Sequence, residues 1–95
     1  MKPLRLTAHA FQRIFERGLS PKECEEAFRA SRVIETYPDT KPFPSELRLG
    51  YAGVKPLHLV VAETPDSIHV ITAYVPDPTL WSQDFTLRRK KGGSQ

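Results

Sequence analysis

The stretch P-L-H-L-V-V-A-E-T-P-D-S-I-H-V-I-T-A-Y-V, residues 56–75, decides the fold. Two runs nearly continuous in apolar residues, PLHLVVAE and IHVITAYV, flank the turn tetrapeptide TPDS. Both read as strands, and so little alternation marks strands covered on both faces or close to it. Parity then decides which side chains share a face. With an even loop and Glu63 opposite Ile68, Leu57 falls opposite Tyr74, and His58 turns to the other side. A single bulge in the turn reverses this and gathers His58, Thr72 and Tyr74. The sequence leaves both registers open.

Working outward, ELRLGYA (46–52) alternates Leu47, Leu49 and Tyr51 against Glu46 and Arg48, as a strand does. RVIETY (32–37) gives a further strand, stopped by the proline-rich PDTKPFP. The first third reads as two helices. Thr7 is placed to cap the first and Gly18 to end it, and Ala10, Phe11, Ile14 and Phe15 form an apolar stripe between them. Ser20 and Glu23 make a capping box with Pro21 at the first helical position, and Cys24, Ala27 and Phe28 give the second helix its buried face. The expected fold is α+β: two N-terminal helices packed on one face of a four-stranded antiparallel meander. A single domain is expected over residues 1–87, followed by a flexible basic tail over 88–95.

Ninety-five residues allow one domain with a modest core. The net charge of +3 comes largely from Arg88, Arg89, Lys90 and Lys91, so basicity alone argues weakly for nucleic acid. Cys24 is the single cysteine, which excludes an internal disulfide and suits a reducing compartment. On the presumed core face it would be inert as a nucleophile. There is no signal-peptide pattern and no membrane-length apolar run, so a soluble cytoplasmic protein is expected, with no membrane partner. The three histidines and the cysteine lack metal-ligand spacing, and no glycine-rich phosphate loop occurs; neither metal nor cofactor is expected.

The residues suited to chemistry are few. His9, Arg13 and Arg17 follow one another at four-residue steps along the first helix, with Glu16 between them. A solvated face with an ion pair worth well under ~1 kcal/mol would explain them. A phosphate-handling site would explain them more sharply, since an imidazole near the helix N-terminus and beside a cation is kept neutral. His58, inside an apolar strand, is either a hydrogen-bonded core histidine or, if its face opens to a groove, a general base. His69, near the hairpin turn, reads as a surface residue. Together these groups suffice for RNA cleavage by the 2′-hydroxyl, which needs a base, an acid and cations around phosphorus.

Three motifs, H-A-x-x-R-x-x-E-R-G at 9–18, L-H-L-V-V at 57–61 and Y-x-P-D-P-x-x-W at 74–81, occur in one order with VIETYPD between the first two. Over residues 4–81 the chain resembles a bacterial domain-of-unknown-function family of small toxin-like proteins. That resemblance implies a relation to the fold of RelE-like and BrnT-like ribonucleases, helices backing a small antiparallel sheet. It also implies an antitoxin partner with a YgiT-type (MqsA-like) zinc-finger domain. The leading expectation is a type II toxin acting as a metal-independent endoribonuclease on mRNA, free or on the ribosome. In it His9, His58 and Tyr74 serve as catalytic groups, and Arg13, Arg17, Thr72, Arg88 and Arg89 hold phosphate or RNA. The alternative is a non-catalytic protein- or RNA-binding module that docks through the first helix. DNA binding through the two helices is disfavoured, because Glu23, Glu25 and Glu26 open the second and would repel phosphate.

Overall fold

Thr7 begins the folded body as a helix cap, its hydroxyl accepting the Ala10 amide at 3.0 Å. The helix it starts, α1 (Ala8–Glu16), stops at Gly18, whose φ of +73° is left-handed. Ser20 and Glu23 then close the expected reciprocal capping box on α2 (Pro21–Arg29). The computed structural model describes residues 2–89.

Five strands accompany the helices: β1 (Leu4–Leu6), β2 (Arg32–Tyr37), β3 (Ser45–Ala52), β4 (Lys55–Glu63) and β5 (Ile68–Tyr74). They form one sheet in the order β1-β5-β4-β3-β2. Neighbours from β2 to β5 are antiparallel, whereas β1 runs parallel to β5 with Leu4 opposite Ile68 and Leu6 opposite Val70. This corrects the expected architecture. The sheet is five-stranded and mixed, and the four-stranded meander of RelE/BrnT type is not what the chain forms. The overlooked strand has three residues, too few to show a period, and its partner lies more than sixty residues away. Its hold is non-local: Ile68 N–H donates to the Pro3 carbonyl at 2.9 Å, and Lys2 reaches Glu63 and the Thr64 carbonyl. Leu4 and Leu6 also pack against the core.

Both helices lie on one face of the sheet. Ala10 and Ile14 from α1 and Cys24 and Ala27 from α2 meet Leu57, Leu59, Val61, Val70 and Ala73. Only half of the predicted α1 stripe is buried. Phe11 is 52% and Phe15 76% exposed, because they stand about 100° around the helix from the Ala10–Ile14 line that meets the sheet. Cys24 is fully buried, and burial pushes its thiol up from the ordinary value. No helix among the described residues is long and apolar enough to cross a membrane.

α2 sits unusually close to β3. A Cβ on Gly50 would be driven into the Ala27 backbone carbonyl. Arg48 fastens the same contact: its Nε donates to Ser31 Oγ at 2.7 Å, and its guanidinium stacks over Phe28 at 5.0 Å. At the C-terminal end, Arg88 pairs back with Trp81 and the Arg89 amide donates to the Leu80 carbonyl at 2.8 Å. Lys90, Lys91 and the rest of the proposed tail lie outside the described residues.

The close approach makes Gly50→Ala a test of helix–sheet packing. It is expected to lower the unfolding free energy in urea by about 3 kcal/mol. Gly18→Ala, with open space around it and only the left-handed backbone opposing, should cost about 1 kcal/mol. Equal losses at the two positions would contradict the packing account.

Candidate functional site on the helix-free face

The register of β4 and β5 begins as the even one, with Glu63 opposite Ile68. Between the Val61–Val70 and Val60–Thr72 pairs, Ile71 is left without a partner. This bulge lies inside β5 and not in the turn, and it shifts every later residue by one. Val70 and Ala73 therefore both face the helices, while Thr72 and Tyr74 turn to the opposite face beside Val60 and His58. The gathering that one bulge would produce is the one observed. A second bulge, at Ile34 in β2, sets Glu35 opposite Leu47 and Tyr37 opposite Ser45, on this same face.

His58 is fully buried there, and both ring nitrogens are engaged. Nε2 lies 2.8 Å from the Phe85 carbonyl, which can only accept, so Nε2 carries the proton. Nδ1 is then the acceptor for the Tyr74 hydroxyl at 3.3 Å. Trp81 and Tyr74 stand edge-on to the imidazole, with ring centroids 4.4 and 5.3 Å away. Burial pushes the His58 pKa below the usual imidazole range, and the Phe85 carbonyl opposes that shift. The result is a neutral histidine placed beneath Tyr74 and closed to solvent.

The segment after β5 completes this arrangement. Phe85 adopts φ +64°, a left-handed conformation costly for a bulky residue. Its amide donates to the Ser82 carbonyl at 2.8 Å while its own carbonyl takes the His58 proton. Asp84 organises the turn by accepting from Ser82 Oγ, Thr86 Oγ1 and the Thr86 amide, contacts that hold its carboxyl down to about 2. Arg88 lies over the Trp81 ring at 5.7 Å.

Of the helix row, Arg17 joins the site. Its Nη1 donates to Thr72 Oγ1 at 3.1 Å and to the Ala73 carbonyl at 2.9 Å, in a part of β5 that β1 no longer reaches. Burial raises the Tyr74 pKa, whereas the positive charges of Arg88 and Arg17 pull it down. The structure thus brings together Arg17, Thr72, Tyr74, Arg88 and His58. His9 and Arg13 stay exposed on α1, with Arg13 Nε 3.4 Å from His9 Nε2 and Nη1 3.7 Å from Glu16. Arg89 Nε donates to the Pro78 carbonyl at 3.2 Å, apart from the tyrosine.

Sequence reasoning passed over Glu35 and Tyr37. The Tyr37 hydroxyl donates to Glu35 at 3.2 Å, and its pKa is raised by burial first, then by Glu35 and by Tyr74. Their spacing of two places them on one face, but the Ile34 bulge decides which face.

Among known proteins, residues 6–75 match the family model DUF4258, described as a domain of unknown function. No curated protein and no solved structure matches the chain. The matched span holds Arg17, His58, Thr72 and Tyr74; Trp81, Phe85 and Arg88 follow it.

The histidine yields a pH test with a definite sign. The unfolded chain takes up a proton near pH 6.5 that the folded chain resists, so this contribution to stability is complete above that pH and is lost as pH falls below it. Melting curves between pH 7.5 and 5 should show Tm falling across the acid half of the range. His58→Gln should be less stable at pH 7.5 but show a flatter dependence; a slope unchanged by the substitution would contradict the buried neutral imidazole.

Proposed function

The chain belongs to the DUF4258 family, and from that premise we propose that its helix-free face cleaves RNA without a metal ion, as the toxin of a bacterial type II pair. The observation that carries this reading is the Tyr74 hydroxyl, backed by a buried neutral His58 and set between the charges of Arg17 and Arg88. The attacking 2′-hydroxyl gives its proton to the Tyr74 oxygen as the tyrosine passes its own to His58 Nδ1. The 2′-oxygen bonds to phosphorus, the bond to the 5′-oxygen breaks, and the departing oxygen takes a proton from water; the hydroxide left behind takes back the His58 proton by way of Tyr74. Products are a 2′,3′-cyclic phosphate and a 5′-hydroxyl. Arg17 and Arg88 stabilise the charge that builds on the phosphoryl oxygens. His9 and Arg13, one to two turns back along α1, extend the row of polar donors for the flanking backbone.

The substrate in this reading is cytoplasmic mRNA, free or on the ribosome, and the natural partner is a zinc-finger antitoxin. A second reading, a non-catalytic module that docks a protein, is favoured by the exposed Phe11 and Phe15 on α1. The two differ in what the tyrosine does.

Purified protein incubated with a defined mRNA in EDTA, with and without ribosomes, should release fragments ending in 2′,3′-cyclic phosphate. Tyr74→Phe should slow cleavage by about 10²-fold or more with folding intact. Wild-type protein that cuts neither substrate overturns the proposal. Full growth inhibition by Tyr74→Phe would favour the docking module.

A further inference from the structure

On the same face as Tyr74, further along β4 and β5 toward their connecting turn, lies a cavity of about 420 Å³, within the ~300–1,000 Å³ range of small-ligand pockets. The loop between β2 and β3 forms one wall through Lys41 and Phe43, and Ala62, His69 and Ile71 form the opposite side. Its position relative to the proposed centre is set by register. Ala62 pairs with His69, and Val60, two residues along β4, pairs with Thr72, the hydroxyl that Arg17 holds. Two residues of strand are about 7 Å, close to the reach from one nucleotide's phosphate to a neighbouring base.

The lining has the chemistry of a base-binding pocket. Phe43 is a partly exposed aromatic on a loop, able to stack on a flat ring. His69 is anchored, with Nε2 2.8 Å from the hydroxyl of the buried Ser67. That leaves Nδ1 without a partner among the described residues and able to meet the polar edge of a base. Lys41 is the one lining residue of fixed charge, and it is positive, as are Arg17 and Arg88 at the adjoining centre. No carboxylate lines the cavity among the described residues, and Glu35, on the same face, accepts from the Tyr37 hydroxyl. An apolar slot with an aromatic wall and one cation in its lining suits a nucleotide better than an acidic peptide.

We propose that this cavity holds the base next to the phosphate bound at Arg17 and Thr72, and so sets which RNA sequence the face prefers. The proposal rests on the ribonuclease reading for its biological role, but base binding can be measured without cleavage. His69, read from sequence as a surface residue, becomes a specificity residue, and the Ile71 bulge forms part of the pocket it lines.

The test is an NMR titration of the full chain with each of the four nucleoside 3′-monophosphates and, separately, with inorganic phosphate. Nucleotides should shift the methyl signals of Ala62 and Ile71 and bind at least about tenfold tighter than phosphate. Phe43→Ala should remove that advantage while leaving phosphate binding unchanged, and His69→Ala should alter which nucleotide binds best. Nucleotides that bind no tighter than phosphate, or an advantage that survives Phe43→Ala, overturn the pocket. So does a cavity that takes a hydrophobic peptide and no nucleotide. RNA cleavage without base binding would sink the pocket alone; base binding without cleavage would sink the ribonuclease reading and leave the pocket standing.

Discussion

A β-strand sends successive side chains to opposite faces, and β5 has to break that alternation to serve both of its neighbours. Val70 and Ala73 are three residues apart, yet both are fully buried against the helices. In an unbroken strand one of them would face away. The unpaired Ile71 absorbs the mismatch and, in the same step, turns Thr72 and Tyr74 toward His58. The core and the candidate site are therefore set by one residue. The bulge at Ile34 acts likewise on β2, bringing Glu35 and Tyr37 onto that face. Bulges that re-aim side chains in two separate strands toward one surface are a stronger sign of a site than any single residue there.

The chain after β5 depends on the same placement. An imidazole buried with an unsatisfied nitrogen would lose about 1–3 kcal/mol. The Phe85 carbonyl supplies the missing acceptor, and the left-handed φ of Phe85, costly by about 1–3 kcal/mol, brings it there. The two terms are of similar size, so the strained turn and the buried histidine are best seen as one unit. Trp81 closes over the imidazole, and Arg88 over Trp81. Charging His58 would make both ring nitrogens donors and so require two acceptors, where Tyr74 and Phe85 now offer one donor and one acceptor. The Tyr74 oxygen can rotate to accept from Nδ1–H, but burial opposes the charge, so a proton on His58 is held in passing and not as a resident charge.

The parts of this fold legible in the sequence are those fixed by neighbours in the chain. The Thr7 cap, the Ser20–Glu23 box and the Gly18 stop rest on contacts within a few residues, and four strands declare themselves by local composition bounded by turn residues. Three features escaped because they depend on distant partners. Leu4–Leu6 is a strand only because β5 offers it an edge. The bulges exist because packing on the helices outweighs local alternation, so Ile71 and Ile34 look like ordinary strand residues. Phe11 and Phe15 have the period of buried residues, but the sheet meets only one line of α1. The candidate site was legible as a list of residue types, with His58, Thr72 and Tyr74 joined under one of two registers. Its geometry was not, and Glu35 and Tyr37 went unnoticed for that reason.

The row His9, Arg13 and Arg17 shows how the backbone selects among similar side chains. Residues at four-residue steps drift about 40° around a helix, so the row cannot follow one straight edge. β1 ends at Leu6, and beyond it the Ala73 carbonyl has lost a strand partner on that side. A backbone acceptor in a half-buried position needs a donor, and Arg17, at the end of α1, is the member of the row that reaches it. Two hydrogen bonds from one nitrogen, to Ala73 and Thr72, then hold the guanidinium in place and leave its other donors unspent. An exposed arginine bound only to solvent would lose side-chain entropy on meeting a phosphate. Arg17 has already been ordered by the sheet edge, whereas Arg13, among the described residues, is tied to its own helix through His9 and Glu16. For any anion at Tyr74, the pre-ordered cation is the better ligand, and the unfinished edge of β5 is what orders it.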